Sequence, residues 1–464
     1  MHQVTRTPHH KTTKVSSSST PEQNASGPEN QAKPPLWRLP VTLRAMRHRN
    51  FQLFFGGQLI SLIGTWMQNV AQAWLVYRLT GSSLLLGSVT FAGQFPVFLT
   101  SPLGGIAADR YNRHRVVIAT QTASMVLAFV FAGLTLSHRI TVSEIFVLAI
   151  LRGIVNAFDI PGRQAFLVEM VGKEDLINAI ALNSSMFNGA RIIGPAIAGI
   201  VVAKIGEGWC FFSDAVSYIA VIVGLLMMQV SPREIKAMGS PIEHVIEGFR
   251  FVRETAPIRA LLLLLGLVSL VAMPYTVLMP VFADRILHGG PRGLGILMGA
   301  TGLGALLGAL TLATRTGVQG LGRWVTLSCA GFAISLIVFS LSNNFWLSTA
   351  LLVPVGFCMM LQMSASNTLI QAMVPDELRG RVMSVYSMMF MGMAPWGALM
   401  GGAIADRLGA PVAVSAGAVA ALGGAAIFGL RLPKLRVEAR RLIIAQGMVG
   451  GDPAEEMTAR VVED

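Results

Sequence analysis

Two charged side chains and an amide occupy a stretch of the chain that is otherwise almost entirely apolar. Arg152, Asn156 and Asp159 are separated by four and three residues within 143–163. That spacing places them on one face of an α-helix, and Arg152 lies about 13 Å from the start of such a helix. An arginine at this depth can bind a substrate anion, take part in proton transfer or pair with a neighbouring helix. Arg152 and Asp159 are therefore candidates for proton coupling.

Polar side chains also recur at helical spacing in an earlier apolar stretch, 51–75. Five of them are separated by three, four, three and four residues, namely Gln58, Ser61, Thr65, Gln68 and Gln72. Amides on one face can join two helices, but five along one face favour the wall of a water-filled cavity. The predicted substrate-cavity residues of the first half are Gln58, Thr65, Gln68, Asn69, Gln72, Arg152 and Asn156.

Methionine and tryptophan side chains extend this prediction to the second half of the chain. Met363, Met389 and Trp396 can form an adaptable surface for apolar ligands, although packing between helices also explains them. Asp214, near the outer end of the stretch 209–229, is a third candidate for proton coupling. A carboxylate inside an apolar helix is costly and usually functional.

The composition is that of a protein that lies mostly in a lipid bilayer. Apolar residues make up 53% of the 464 residues and charged residues 13%, against about 25% in soluble domains. The net charge of +12 does not indicate nucleic-acid binding, because the basic residues form short clusters between apolar stretches. Twelve stretches can cross a bilayer as helices, namely 51–75, 84–107, 116–137, 143–163, 178–203, 209–229, 259–282, 293–314, 323–341, 345–366, 382–405 and 411–430. The sequence predicts an all-α membrane protein with twelve transmembrane helices.

Lys and Arg are distributed unequally between the two sides of the predicted membrane. An even number of crossings puts both termini on one side. The connecting segments of that side hold about 23 Lys and Arg, whereas those of the other side hold about six. By the positive-inside rule, both termini are cytoplasmic. We expect a monomeric, multi-pass protein of the cell (inner) membrane.

The twelve stretches divide into two sets of six that resemble each other. At an offset of 203 residues, glycines recur in pairs that include Gly153 and Gly356, and Gly199 and Gly402. Matching glycines indicate a duplicated unit whose helices approach closely at the same points. The predicted parts are a disordered N-terminal tail and lead-in (1–50), a six-helix bundle (51–229), a cytoplasmic linker (230–258), a second, pseudo-symmetric bundle (259–430) and a cytoplasmic C-terminal tail (431–464).

A short charged loop, 104–115, joins the second and third apolar stretches. It resembles the signature loop of the major facilitator superfamily, with matches at Gly105, Ala108, Asp109, Arg110 and Arg113. The resemblance implies two six-helix bundles with a substrate site between them, and transport by alternating access. It also implies a conformational latch of Gly105, Asp109, Arg110, Arg113 and Asp159. In that latch Asp109 faces the N-terminus of the eleventh helix, and Arg113 pairs with Asp159 at the foot of the fourth. A similar string, 402–409, follows the eleventh stretch on the other side and is interpreted as an ordinary helix end.

Further matches are similar to the exporter branch of this superfamily that includes enterobactin exporters and transmembrane secretion effectors. They comprise 50–58, 64–68, 79–82, 152–164 and Gly194-Pro195. The resemblance implies a secondary transporter that moves a small amphipathic, siderophore-like or drug-like molecule outward, driven by protons. An importer or uniporter of a small polar metabolite, and a non-transporting membrane receptor or scaffold, remain alternatives.

Enzyme functions are not indicated by the sequence. It contains no phosphate-binding loop of the Gly-x-x-x-x-Gly-Lys-Ser/Thr type, which argues against a nucleotide-driven pump. None of the eight histidines lies inside an apolar stretch, and no nucleophile–base pair is recognisable. We therefore expect no catalytic residue, no cofactor and no bound metal.

Overall fold

The polar row in the first apolar stretch and the charged fourth stretch both lie on long helices. The computed structural model describes residues 41–172, 174–230, 241–315 and 317–446, without the side chains of residues 41, 42, 109 and 241–245. The described residues form fifteen α-helices and no β-strand. The helices are α1 (Arg49–Thr80), α2 (Ser83–Arg110), α3 (Arg113–Leu136), α4 (Val142–Val171), α5 (Leu176–Ile205), α6 (Glu207–Leu226), α7 (Pro241–Glu254), α8 (Ala256–Val271), α9 (Tyr275–Val281), α10 (Gly290–Ala313), α11 (Leu321–Leu341), α12 (Phe345–Met373), α13 (Asp376–Met391), α14 (Met393–Leu408) and α15 (Ala410–Ala445).

Each of the twelve predicted stretches coincides with one helix or with two helices in line. Among the described residues, eleven segments are long and apolar enough to cross a membrane. One of them, Ala256–Ile286, combines α8, α9 and a π-helical turn, and another, Asp376–Leu408, combines α13 and α14. The remaining stretch corresponds to α1, which has 32 residues but carries the row of amides that makes it more polar. The prediction of an all-α membrane protein is confirmed.

Glycines bring helices together at equivalent points in the two halves. A Cβ added to Gly153 of α4 would overlap the carbonyl oxygen of Gly93 in α2. The matching Gly356 of α12 meets the carbonyl of Thr301 in α10 in the same way. Only glycine permits such backbone contact. We refer to α1–α6 as the N-terminal bundle and to α8–α15 as the C-terminal bundle.

The lead-in before α1 is folded onto the N-terminal bundle. A 3₁₀-helix, Val41–Arg47, precedes α1. Asp175, just before α5, pairs with Arg44 (2.8 Å), Arg47 (2.7 Å) and His48 (2.7 Å). The last ten residues of the predicted 1–50 tail are therefore part of the fold, because a buried carboxylate holds them; residues 1–40 lie outside the described residues.

The predicted cytoplasmic linker and tail also contain helices. Within the linker 230–258, α7 packs on α13, where Glu247 pairs with Arg381 at 2.7 Å. A Cβ on Gly248 would lie 2.6 Å from the carbonyl oxygen of Arg381. The C-terminal tail begins as a continuation of α15, and Ile443 near its end is only 8% exposed. These amphipathic segments are too polar to be recognised as membrane spans.

Asp175→Asn is expected to release the lead-in. The hydrogen bond from His48, with Arg47 and Arg44, holds the pKa of Asp175 below its ordinary value against the opposing effect of burial. A lowered pKa means that this stabilisation is present above the ordinary pKa of about 3.9 and is lost as the pH falls through the lowered value. Limited trypsin cleavage at Arg44 and Arg47 should be faster in the variant at pH 7.

Asp376 provides the matched control for this experiment. Its side chain is 80% exposed, and its ion-pair partner in the described chain is Arg379, three residues away on the same helix. Such an exposed pair contributes little, so Asp376→Asn should leave the cleavage rate unchanged. Equal protection of the lead-in in wild type and Asp175→Asn would contradict the role assigned to Asp175.

Candidate functional site

Asp214, Gln68 and Arg152 form a polar network between three helices of the N-terminal bundle. Asp214 of α6 is fully buried. The partners of Gln68 set the orientation of its amide. Its nitrogen donates to Asp214 Oδ2, and its oxygen accepts from Arg152 Nη1 at 3.1 Å. Thr65 Oγ1 also faces Asp214 Oδ1, at 3.4 Å.

A glycine makes room for this network. A Cβ added to Gly64 of α1 would lie 2.7 Å from Asp214 Oδ1 and 2.7 Å from Ser217 Oγ. Asp214 is the eighth residue of α6, about 11 Å along the helix. It therefore lies deeper than its predicted position near the outer end. The network joins two of the three predicted proton-coupling candidates, Arg152 and Asp214, which the sequence did not connect.

The third candidate, Asp159, belongs to a separate cluster. Its side chain is buried, and its Oδ1 accepts hydrogen bonds from Thr120 Oγ1 and Gln121 Nε2, both at 2.8 Å. Arg163, one turn further along α4, pairs with Asp159 Oδ2 at 2.6 Å. Both carboxylate oxygens thus have partners from within the N-terminal bundle.

The predicted pairing of Arg113 with Asp159 is wrong for this conformation. Arg113 Nη1 lies 3.2 Å from Glu169 Oε1 and donates to the carbonyl of Ala165 at 3.0 Å. The helix α4 extends to Val171, eight residues beyond the predicted end at 163. Glu169, and not Asp159, is therefore the acid at the foot of this helix.

The other latch residues stay a prediction. The side chain of Asp109 lies outside the described residues. Gly105 has open space around it, since an added Cβ would meet nothing within 4 Å, and Arg110 is exposed. The eleventh span begins at α13 with two acids, Asp376 and Glu377, in its first turn. These charges reduce the attraction of that helix N-terminus for Asp109.

Glu169→Gln is expected to slow transport about tenfold if the loop acts as a latch. A hydrogen bond to a charged group contributes roughly 1.5–3 kcal/mol. The neutral amide of the introduced glutamine removes the negative charge that faces Arg113 at this contact. Glu174, an exposed acid in the following turn, is the matched control, and Glu174→Gln should transport like wild type. Transport rates at equal expression decide the matter. Equal rates for both variants would exclude Glu169 from the latch.

The face of α1 that was predicted to line a water-filled cavity contains both buried and accessible residues. Gln58, Ser61 and Gln68 are at most 5% exposed, because α6 packs closely against this side of the helix at Gly57 and Gly64. These three therefore join helices instead of lining an open cavity. Thr65 and Gln72 are partly exposed and Asn69 is exposed, as Asn156 of α4 partly is. Those four remain available to a solute.

The predicted cavity residues of the C-terminal bundle lie in different places. Met363 and Met389 are partly buried against the core, and a Cβ on Gly266 would meet the Met389 methyl at 2.7 Å. Trp396 of α14 is 47% exposed. Its ring meets Phe91 and Phe95 of α2 edge to face, at centroid distances of 5.1 and 5.9 Å. Trp396 thus lies at a contact between the two bundles.

We call the face that carries Val41 and Gln446 the terminal face, and the face that carries the turns at Gly81 and Gly409 the opposite face. Hydrogen bonds join the two bundles at the opposite face. Cross-bundle bonds among the described residues include Ser82 Oγ to Asp406 Oδ1 (2.9 Å), Leu84 N–H to Asp406 Oδ1 (3.3 Å), Tyr77 hydroxyl to Asp284 Oδ2 (3.1 Å) and Arg285 Nη2 to the Gly81 carbonyl (3.0 Å). Asp406 lies in the string 402–409, which is therefore more than a helix end.

Two glycines related by the offset of 203 residues close the same face. A Cβ on Gly402 of α14 would lie 2.6 Å from the Ser83 carbonyl oxygen, in the contact between α14 and α2. A Cβ on Gly199 of α5 would lie 2.9 Å from the carbonyl oxygen of Pro291, beside α10. The bundles are in backbone contact on both sides of the seam, so the opposite face is closed in this conformation.

In the described part of the chain, no group of three His, Cys, Asp or Glu side chains comes together.

Glu169 and Asp406 were not predicted from the sequence. The signal for Glu169 was the continuation of helical spacing beyond Pro161, which the predicted end at 163 ignored. Asp406 was visible as an acid in a loop-like string, but its partners belong to the other bundle.

Comparisons with known proteins agree with this architecture. A family model described as "Transmembrane secretion effector" matches residues 41–450. The staphyloferrin A transporter of Staphylococcus aureus is 27% identical over 362 residues, which cover 77% of this chain and 89% of that protein. The enterobactin exporter EntS of Shigella boydii is 27% identical over 410 residues, which cover 87% of this chain and 96% of that protein.

Solved transporter structures share the fold. The nucleoside transporter NupG is similar with a TM-score of 0.60 at 13% identity, over 86% of this chain and 99% of that chain. A bacterial homologue of the iron transporter ferroportin, in an inward-facing state, has a TM-score of 0.63 at 16% identity, over 83% of this chain and 98% of that chain. With the family match over most of its length, the chain belongs to the transmembrane secretion effector family of major facilitator transporters.

Proposed function

We propose that this transporter exports a small amphipathic molecule, of the siderophore or drug-like class, in exchange for protons. The proposal places it in the inner membrane as a monomer, with the terminal face in the cytoplasm. Two relatives support the substrate class, since their names assign them staphyloferrin A and enterobactin. The excess of Lys and Arg on the terminal side supports the orientation.

One observation carries the proton coupling, namely the buried Asp214 that Gln68 links to Arg152. The ionised carboxylate accepts hydrogen bonds at both oxygens, whereas the protonated form is a weaker acceptor and gains an O–H donor. Protonation cancels its charge, weakens its hold on Gln68 and leaves the Arg152 guanidinium free to turn towards a solute. Asp214 thus takes the role of proton carrier, and Arg152 that of the group which senses its charge. Asp159 is better suited to the latch region, because Arg163 already neutralises it.

Alternating access follows from the seam at the opposite face. With that face closed by backbone contact at Gly199 and Gly402, a solute near Asn69 and Asn156 can exchange only towards the terminal face. Breaking the bonds of Asp406 and Asp284 would open the other route. In the cell this conformation corresponds to loading from the cytoplasm.

Proteoliposomes with the purified protein test the function. Enterobactin and staphyloferrin A are the probes, and their movement is measured with and without a pH gradient. We expect gradient-dependent movement of at least one probe, against the proton flux. Movement that ignores the gradient would identify a uniporter, movement with the protons an importer, and binding without movement a receptor. Each of these three outcomes overturns the proposal of a proton-driven exporter.

A further inference from the structure

A second arginine lies in the middle of a membrane span and is not part of the Asp214 network. Arg191 is the sixteenth of the 30 residues of α5, about 22 Å from its start. Its guanidinium carbon lies 5.8 Å from the centre of the Trp66 ring of α1. The same ring meets Phe187, one turn before Arg191, at 5.7 Å. The cation therefore lies beside aromatic rings, which attract it only weakly compared with a carboxylate.

The charge of Arg191 is not balanced within the described part of the chain. Arg152 shares Gln68 with Asp214, Arg163 pairs with Asp159, and Arg113 pairs with Glu169. Among the described residues no acid lies within ion-pairing distance of Arg191. An arginine in mid-membrane is costly and is retained at sites of substrate or ion passage. The Arg191 guanidinium is therefore open to an anion that is not part of the described chain.

A buried hydroxyl of the C-terminal bundle also lacks a partner among the described residues. Tyr275 begins α9, directly after the break of the seventh span at residues 272–274. Its side chain is 1% exposed, and its hydroxyl has no hydrogen-bond partner among the described residues. Thr301 is a polar neighbour of this hydroxyl but does not reach hydrogen-bond geometry with it, and Thr301 donates its own hydroxyl to the Leu297 carbonyl at 3.1 Å. Buried polar groups nearly always have partners, so this hydroxyl is a candidate donor to a bound solute.

These groups meet where the two bundles touch. The helix that Tyr275 begins, α9, packs against α10. A Cβ on Gly302 of α10 would lie 3.1 Å from the Arg191 carbonyl oxygen, so α10 passes directly along this part of α5. Broken helices at the boundary between repeats are where secondary transporters bind their substrates. Rocking of the bundles changes the distance between Arg191 and Tyr275, and with it the affinity of a site that uses both.

We propose that Arg191, Trp66 and Tyr275 form a binding site for an aromatic or amphipathic anion such as a carboxylate. In this site Arg191 binds the anionic group, the Tyr275 hydroxyl donates a second hydrogen bond, and Trp66 with Phe187 contacts the apolar part. The assignment rests on the proposed function and specifies its substrate as anionic. In this site the anionic group of the transported solute provides the counter-charge of Arg191.

The full-length protein in lipid nanodiscs tests this site with 1-naphthoate and its neutral analogue 1-naphthamide. Naphthoate should raise the melting temperature of the wild type, and naphthamide should not. We expect Arg191→Gln to weaken naphthoate binding at least about tenfold, which equals 1.4 kcal/mol, and Arg191→Lys to weaken it less. Arg407→Gln, an exposed cation at the opposite face, is the matched control and should bind like wild type.

Tyr275→Phe separates a ligand-binding role from a structural one. The hydroxyl has no partner in the described chain, so its removal should leave the melting temperature of the free protein unchanged while weakening naphthoate binding. Equal effects of naphthoate and naphthamide, no effect of either, or unaltered binding by Arg191→Gln would overturn the site. If naphthoate binding depends on Arg191 but no pH gradient drives transport, the site stands and proton-driven export fails. If gradient-driven transport is the same in Arg191→Gln, the site alone fails.

Discussion

Transport by the Asp214→Asn variant is expected to lose its response to a pH gradient and fall to the rate measured without one. The asparagine has nearly the same shape and can still bond Gln68 and Thr65, but it cannot take up and release a proton. Exchange of labelled for unlabelled substrate at equal pH on both sides should persist. That split between driven transport and exchange identifies a coupling residue, because a misfolded protein loses both.

Glu207 provides the matched control for Asp214. It belongs to the same helix, is 7% exposed, and pairs with Arg78 at 2.7 Å near the opposite face. Glu207→Gln therefore removes a buried charge from α6 without touching the mid-membrane network. The Arg78 side chain is 53% exposed, so solvent screens this pair and its loss costs less than that of a fully buried pair. Both variants still need a check of folded yield. Gradient-driven transport that survives in Asp214→Asn would remove this residue from the coupling mechanism.

The sequence predicted the features that depend on local composition and spacing. The number and approximate positions of the apolar helices follow from counting residues along apolar stretches, whereas helix ends such as that of α4 do not. The pairing of Gly199 with Gly402 also followed, because a duplicated unit repeats its close contacts. The structure confirms that both glycines lie in cross-bundle contacts.

The partners of the charged side chains were not predictable in this way. Asp214 and Arg152 are 62 residues apart in the sequence, and only the packing of α6 and α4 against α1 brings Gln68 between them. Arg113 was paired with Asp159 because α4 was thought to end at 163. Because α4 continues for two more turns, the acid that pairs with Arg113 is Glu169 and not Asp159. Arg191 could not be singled out in this way either, because its lack of an acidic partner among the described residues is visible only in the folded chain.

Valine at Gly199 or Gly402 is expected to force open the seam at the opposite face. The added side chain would overlap the backbone of the facing helix, and neither carbonyl can move without separating the bundles. Overpacking costs roughly 1–3 kcal/mol, which shifts the equilibrium away from the closed state by about 5- to 150-fold. Substrate transport should fall accordingly, because the return to this conformation becomes the slow step.

Labelling measures this shift directly. With the three native cysteines replaced, Asn69→Cys should react faster with a membrane-impermeant maleimide added from the opposite face when Gly199→Val or Gly402→Val is present. Gly133→Val is the matched control, because an added Cβ there meets nothing within 4 Å, and it should label and transport like the parent. If both seam variants keep the parent's labelling rate and transport, backbone contact at these glycines does not hold the face shut. The closed state would then depend on the polar bonds of Asp406 and Asp284, which Asp406→Asn can test in the same assay.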